Sequence, residues 1–387
     1  MKHQPHEMLP QGHHAPLFKS FFQGSFACST ACRGEGKRVD LVINSGHDTL
    51  LDKDYALLAT HQLLTARDSA RWYLIEQKPG EYDWSTFLSM LHAAENNGLE
   101  VIWELAHFGW PAQLDIWQPA FVDRFAHFAR ALAKLMRDEG YSAPFFTPMN
   151  QISFWSWAGA EVALFNPGVT ARGRELKLQL VRASVAAMHA IREELPGARF
   201  VLTDPLVHIA APDMMKEHLA EASRQHEAQY EAWDMIGGRL HPELGGNDSL
   251  LDIIGLNYYP DNQWYTNGDP LDEQQAEYRP LASLLLEVWQ RYQRPMLIAE
   301  TGAEGAMRAP WLGRVVEQVN QARAQGADIQ GISIFPAVDY PSWADDRRSP
   351  GGLFGLADAN GNRTINEPYA LEIRSQQIRM KNAVGEK

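Results

Sequence analysis

Two stretches of the sequence end an apolar run in a polar group of catalytic type. In Phe145-Phe146-Thr147-Pro148-Met149-Asn150-Gln151 the run stops at two side-chain amides, and Ile152, Phe154 and Trp155 come directly after. In Pro295-Met296-Leu297-Ile298-Ala299-Glu300-Thr301-Gly302 it stops at a carboxylate. Two carboxylates facing each other divide the work of cleaving a glycosidic bond. One protonates the leaving oxygen, and the other attacks the sugar or activates water. This chain offers one carboxylate, Glu300, and the amide isostere of the other, Gln151. The amide keeps the shape of the acid and donates a hydrogen bond, but has no proton to give up.

Such groups need elements that bring them together. Candidate strands lie at residues 21–26, 63–69, 100–106, 145–150, 199–204, 252–259, 295–300 and 331–337. Helical periodicity fills the intervals. Residues 85–97 place Phe87, Leu88, Leu91 and Ala94 on one face, and 120–139 do so with Phe121, Phe125, Phe128, Leu132 and Leu135. Residues 174–194, 282–292 and 310–324 repeat the pattern, and Gly98, Gly197 and Gly326 stand where helices should stop. Eight strands alternating with helices predict an α/β fold, a single (β/α)8 barrel over residues 18–387. An open doubly wound sheet would want a Gly-rich first turn, which the sequence lacks. Residues 1–17, with His3, His6, His13, His14 and no periodicity, read as a loose N-terminal arm.

Composition narrows the partners. With 387 residues, 45% of them apolar, and 12 Trp, 16 Phe and 12 Tyr, the chain supports a large core and flat aromatic surface suited to sugar rings. A formal charge of −13 argues against nucleic acid or an anionic membrane surface. No apolar run is of membrane-spanning length, and residues 1–17 lack the apolar core of a signal peptide, so the expectation is a soluble cytoplasmic protein. Cys28 and Cys32 are too few for a disulfide framework or a four-Cys zinc site and are expected to be buried thiols. No phosphate-cradling loop, metalloprotease motif or carboxylate cluster is present, so no cofactor or metal is expected.

The predicted strands present Arg67, His107, Asn150-Gln151, Asn257-Tyr258-Tyr259 and Glu300 at their C-terminal ends, and the last runs on into Asp339 to Trp343. Each alone has a packing or salt-bridge explanation. Gathered at one end of a barrel, they form a site. Glu104, two residues after Ile102 in the third strand, is expected either to approach that site or to pair with Arg67. Glu304 lies beyond the seventh strand, whereas Glu300 ends the apolar run directly and is preferred as nucleophile.

The order and spacing of these residues resemble retaining glycoside hydrolases on (β/α)8 barrels, most closely the family 1 β-glycosidases. Arg67-Asp68-Ser69 with downstream Trp72 is similar to an Arg-Phe-Ser motif followed by Trp. His107 and Pro111 fall within a Tyr-His-Trp-Asp-Leu-Pro pattern, with Phe108 in place of its Trp. Gly255-Leu256-Asn257-Tyr258-Tyr259 matches Gly-Ile-Asn-Tyr-Tyr, and Glu300-Thr301-Gly302 resembles the nucleophile motif Glu-Asn-Gly. Asp339 to Trp343, then Leu353-Phe354-Gly355-Leu356, resembles Asp-Asn-Phe-Glu-Trp and its trailing Phe-Gly-Leu. The likeness implies an exo-acting β-glycosidase working by double displacement on a β-linked glycoside or oligosaccharide, without a cofactor. It implies Glu300 as nucleophile, held ionised and aimed by Arg67 and Tyr259. Asn150 would bind the sugar 2-hydroxyl, His107 a neighbouring hydroxyl, and Trp343 a ring face. Asn257, Gln263 and Trp264 are further expected substrate contacts.

The departures matter as much. The general acid/base position holds Gln151, so the chain as written should bind sugar and turn over O-glycosides poorly. That admits a Glu-to-Gln change in an ordinary hydrolase, a natural thioglycosidase resembling plant myrosinases, or a silent sugar-binding protein. Ser342 stands where the family has a sugar-gripping Glu, as in its phospho-glycosidase branch. Arg347 and Arg348 are candidate anion contacts there, and solvated loop arginines otherwise. The preferred sugar and the oligomeric state are left open.

Overall fold

Eight parallel strands close into a barrel in the computed structural model, which describes residues 15–342, 345 and 347–385, apart from the side chains of 35 and 382–385. In chain order they are β1 (Phe22–Ser25), β2 (Thr65–Ser69), β3 (Glu100–Glu104), β4 (Phe145–Thr147), β5 (Arg199–Pro205), β6 (Ile253–Asn257), β7 (Met296–Thr301) and β8 (Ile329–Ile334). Each pairs with the next, and β8 with β1. The (β/α)8 barrel read from the sequence is the fold observed. Some strand ends differ from expectation for backbone reasons. β4 stops at Thr147 because Pro148 has no N–H for the ladder, and β8 ends before Pro336 likewise.

Alternation along the strands builds the site. Ile102, Phe145, Val201, Ile253, Leu297 and Ala299 form a buried cluster with Phe18, whose ring lies 4.9 Å from that of Phe145. Leu17 packs beside them, and its N–H donates to Gln330 Oε1, so the predicted arm is tied down by residue 17; residues 1–14 lie outside those described. Two residues further along, the same faces carry Glu104, Thr147, Thr203 and, past Gly255, Asn257. An apolar floor thus supports a polar layer at the C-terminal end. On β7 strict alternation would turn Glu300 outward after Ala299. The register of β7 against β6 shifts between Ile298 and Glu300, and such an irregularity re-aims a side chain.

Outside the strands lie helices α1 (Leu51–Thr60), α2 (Ser85–Asn96), α3 (Pro119–Asp138), α4 (Ile152–Ala160), α5 (Gly173–Glu194), α6 (Lys216–Glu227), α7 (Leu281–Tyr292), α8 (Arg308–Ala324) and α9 (Glu367–Gly385). The expected apolar face of α3 is inside, with Phe121, Phe125, Phe128 and Leu132 fully buried and Phe125 5.0 Å from the Trp72 ring. Gly98 and Gly326 take left-handed φ of 67° and 97°, as expected of residues that stop helices. Gly197 does not; a Cβ there would lie 2.7 Å from the Ser142 carbonyl oxygen, so close approach explains that glycine. No helix among the described residues is long and apolar enough to cross a membrane.

Behind β2 lies a fully buried ionic cluster. His47 bonds Asp54 Oδ2 through Nδ1 and Asp68 Oδ2 through Nε2, both at 2.8 Å. Tyr55 donates to Asp68 Oδ2 at 2.7 Å, and Arg363 grips both oxygens of Asp54 at 2.5 and 2.8 Å. The cluster joins α1, β2 and the C-terminal ribbon through Arg363. Burial alone would lower the His47 pKa, but the two carboxylates outweigh it and push it up to about 9 from 6.5. A raised folded-state pKa stabilises fully below pH 6.5 and loses that contribution as pH rises through about 9. His47→Gln should therefore cost about 3–5 kcal/mol at neutral pH, as breaking a buried ion pair does. Thermal melts of both proteins at pH 7 and 9.5 check this: the difference between them narrows at the higher pH, and an unchanged difference contradicts it.

Candidate active site

Arg67, one of the largest fully buried side chains, organises the polar layer. Its Nη1 donates to the Ala299 carbonyl at 2.5 Å and to Glu300 Oε1 at 3.1 Å. Its Nη2 donates to Glu104 Oε1 and, at 3.2 Å, to Asn150 Oδ1. Burial by itself would lower the Arg67 pKa, yet Glu104 and Glu300 raise it above its ordinary value. The planar fork suits this task, because one cation satisfies two carboxylates in fixed directions.

Glu300 is 4% exposed, and its second oxygen, Oε2, accepts a 2.7 Å hydrogen bond from Tyr259 OH. Burial first, then the Glu300 carboxylate, raises the Tyr259 pKa well above normal, so the phenol remains a donor. Position 302 is glycine because the Phe335 carbonyl oxygen would lie 1.9 Å from any Cβ there. Ser25 and Ser333 hydroxyls, 2.8 Å apart, complete the packing beside the Ala299 carbonyl.

The opposite wall is a relay of hydrogen bonds. His107 Nδ1 bonds Glu104 Oε2 at 2.7 Å, and its Nε2 accepts from Asn150 Nδ2 at 3.1 Å. Asn150 Oδ1 also accepts from Thr203 Oγ1 at 2.9 Å. One Nδ2 hydrogen of Asn150 is thus committed to His107, and the second is left for a ligand. Burial would raise the Glu104 pKa, but Arg67 and His107 hold it below the ordinary carboxylate value. Glu104 therefore does both things expected of it as alternatives: it faces the site and pairs with Arg67.

Gln151 sits at the turn from β4 into α4. Its backbone is left-handed, φ 50° and ψ 61°, and its N–H donates to the Thr203 carbonyl at 3.0 Å. Asp204 anchors the first turn of α4 by accepting from Ser153 N–H at 3.0 and 3.3 Å. Burial pushes the Asp204 carboxyl up to about 7, against the opposing pull of Ser153 and of the Lys177 charge. The half-buried Gln151 side chain makes no hydrogen bond to the described residues, unlike its neighbour Asn150.

Hydrogen bonds thus unite Arg67, His107, Asn150, Tyr259 and Glu300, and they add Glu104 and Thr203. Asn257 pairs in register with Glu300 and is fully buried, and neither Nδ2 nor Oδ1 has a partner among the described residues. A buried amide of this kind is ordinarily satisfied by an ordered water or another bound group. Gln263 is not available as a sugar contact. Its Nε2 donates to Tyr258 OH at 3.0 Å and to the Arg279 carbonyl at 2.8 Å, and its Oε1 accepts from Arg279 N–H at 3.1 Å, so its amide pins a loop. Trp264 pairs with Ile209 in a two-stranded ribbon, and its ring is half-buried. Trp343 lies outside the described residues.

Arg347 and Arg348 are already engaged by carboxylates. Arg347 is bidentate to Glu304 at 2.8 and 3.0 Å, and Arg348 bonds Asp339 at 3.0 Å. Glu304 thus lies in an exposed ion pair, whereas Glu300 is buried. Cys28 and Cys32 are free thiols; Cys28 is buried, while Cys32 is half-buried.

No family model matches the sequence. Solved structures with the same barrel are numerous. The AHE enzyme from Alicyclobacillus herbarius superposes with a TM-score of 0.78 at 17% identity, over 93% of this chain and 97% of that one. A β-glucosidase from Thermotoga maritima in complex with glucoimidazole gives 0.76 at 15% identity, over 92% and 97%. A hyperthermophilic β-glucosidase mutant that forms a dodecamer in its crystal gives 0.73 at 17%, over 92% and 99%. At these identities the likeness establishes the fold: this chain is similar to those structures in its (β/α)8 architecture over the matched residues.

Proposed function

We propose that the protein is a retaining, exo-acting β-glycoside hydrolase in its architecture, with Glu300 as nucleophile and no proton donor at position 151. The observation that carries this reading is the carboxylate of Glu300, buried and gripped by Arg67 through one oxygen and Tyr259 through the other. A protein that only bound sugar would have no use for a carboxylate aimed so closely. A β-glucoside is the first substrate to try, because two of the structures sharing this barrel are β-glucosidases, one of them holding glucoimidazole.

In the first step a Glu300 oxygen attacks the anomeric carbon, and the aglycone leaves with the electron pair of the C1–O bond. The Gln151 amide hydrogen-bonds that oxygen but gives it no proton, so only leaving groups stable as anions depart readily. The Asn150 Nδ2 hydrogen left free reaches the sugar 2-hydroxyl, a bond that strengthens in the transition state. In the second step water must attack C1 without a base, which makes release of the sugar slow.

An assay of activated aryl β-glycosides, with and without azide, tests the reading. Azide needs no base, so it should accelerate turnover and yield a β-glycosyl azide while freeing Glu300. If no sugar in the panel gives aglycone release under either condition, the hydrolase reading is wrong. Rapid cleavage of a thioglycoside without azide would instead identify Gln151 as the natural partner of a sulfur leaving group.

A further inference from the structure

Glu104 has no part in the two-carboxylate mechanism, yet it occupies the centre of the site. It is 2% exposed, and both of its oxygens are committed, Oε1 to Arg67 Nη2 and Oε2 to His107 Nδ1 at 2.7 Å. The guanidinium therefore lies between two carboxylates, with Nη1 facing Glu300 and Nη2 facing Glu104. Counted as ionised side chains, one positive charge is shared by two negative ones in a space almost closed to water.

We infer that Glu104 is a positioning residue: one oxygen fixes the Arg67 fork that meets Glu300 and Asn150, and the other fixes the His107 ring toward Asn150, so that the Asn150 amide is held to face the sugar 2-hydroxyl. This rests on the glycosidase reading above. A carboxylate engaged through both oxygens sets the direction of both of its partners. The same anchoring leaves His107 Nε2 as an acceptor at Asn150, which orients the amide that meets the sugar.

Removing the charge of Glu104 leaves a balanced Arg67–Glu300 pair, so the fold should survive. The experiment places Glu104→Gln and, separately, the apolar Glu104→Met in the Gln151→Glu background. It records kcat/KM for an activated aryl β-glycoside and for its 2-deoxy analogue, with circular dichroism to verify folding. Without Glu104 the His107 ring and the Asn150 amide lose their fixed direction, so the preference for the substrate that carries the 2-hydroxyl should fall by about 10-fold or more. A role limited to packing would lower both rates alike and leave the preference in place, and that result overturns the inference. So does failure of both variants to fold, since a residue that only orients its neighbours is not needed for folding. If the Gln151→Glu parent itself hydrolyses nothing, the glycosidase reading has failed and the inference falls with it. A parent that is active beside variants with an unchanged preference rejects the inference alone.

Discussion

On the glycosidase reading, Gln151→Glu is expected to raise the rate of O-glycoside hydrolysis by about 10²–10⁴, the usual worth of general acid–base catalysis. The surroundings are ready for the change. Position 151 is half-buried and its amide has no partner among the described residues, so a carboxyl of the same shape enters without breaking a bond. Its backbone is held on one side by the Thr203 carbonyl and on the other by α4, whose first turn is capped by Asp204. The gain should depend on the leaving group. An alkyl aglycone departs as a strongly basic alkoxide and needs the proton most, whereas a dinitrophenolate hardly needs it. Steady-state rates on an alkyl and a dinitrophenyl β-glycoside, measured for both proteins, check this. An equal gain on both substrates, or no gain on either, contradicts the assignment of position 151.

On the same reading, Arg67→Lys should cost about 100-fold or more in kcat/KM while the protein stays folded. Lysine preserves the charge, but a single ammonium cannot meet Glu300, Glu104, Asn150 and the Ala299 carbonyl in the directions the fork does. A misplaced nucleophile of even about 1 Å loses about 100-fold. Arg67→Met goes further and strands two buried carboxylates, at about 3–5 kcal/mol. Kinetics in the Gln151→Glu background, paired with denaturant unfolding, separate the two effects. Near-normal kcat/KM in Arg67→Lys would show that charge alone, not geometry, is what Glu300 requires.

Much of the architecture is legible in the sequence because both barrel strands and amphipathic helices leave a periodic trace. All eight strand positions and the five periodic helices, α2, α3, α5, α7 and α8, stand close to where the pattern puts them. Elements without a trace are not legible. α4 is apolar over most of its surface, so it has no stripe to betray its period. Among the site residues, Arg67, His107, Asn150, Tyr259 and Glu300 converge on one hydrogen-bonded layer. Thr203 escapes notice, although alternation from Val201 points it inward, because an isolated threonine in a strand carries no chemical signal. Gln263 misleads for the opposite reason: an amide after a strand end looks available, and only the Arg279 backbone reveals that it is spent. The bulge that turns Glu300 inward depends on pairing with β6 and β8, which no local pattern encodes.

On the proposed mechanism, Glu300 attacks the sugar. Because Gln151 cannot assist water, the glycosyl-enzyme should accumulate in the protein as it stands. Mass spectrometry of the intact chain after incubation with a dinitrophenyl β-glucoside, with subsequent peptide mapping, reads this directly. The expected result is a gain of one glucosyl group on the peptide bearing Glu300, lost on addition of azide and absent in Glu300→Gln. Aglycone release with no adduct, or an adduct that persists in Glu300→Gln, would contradict it.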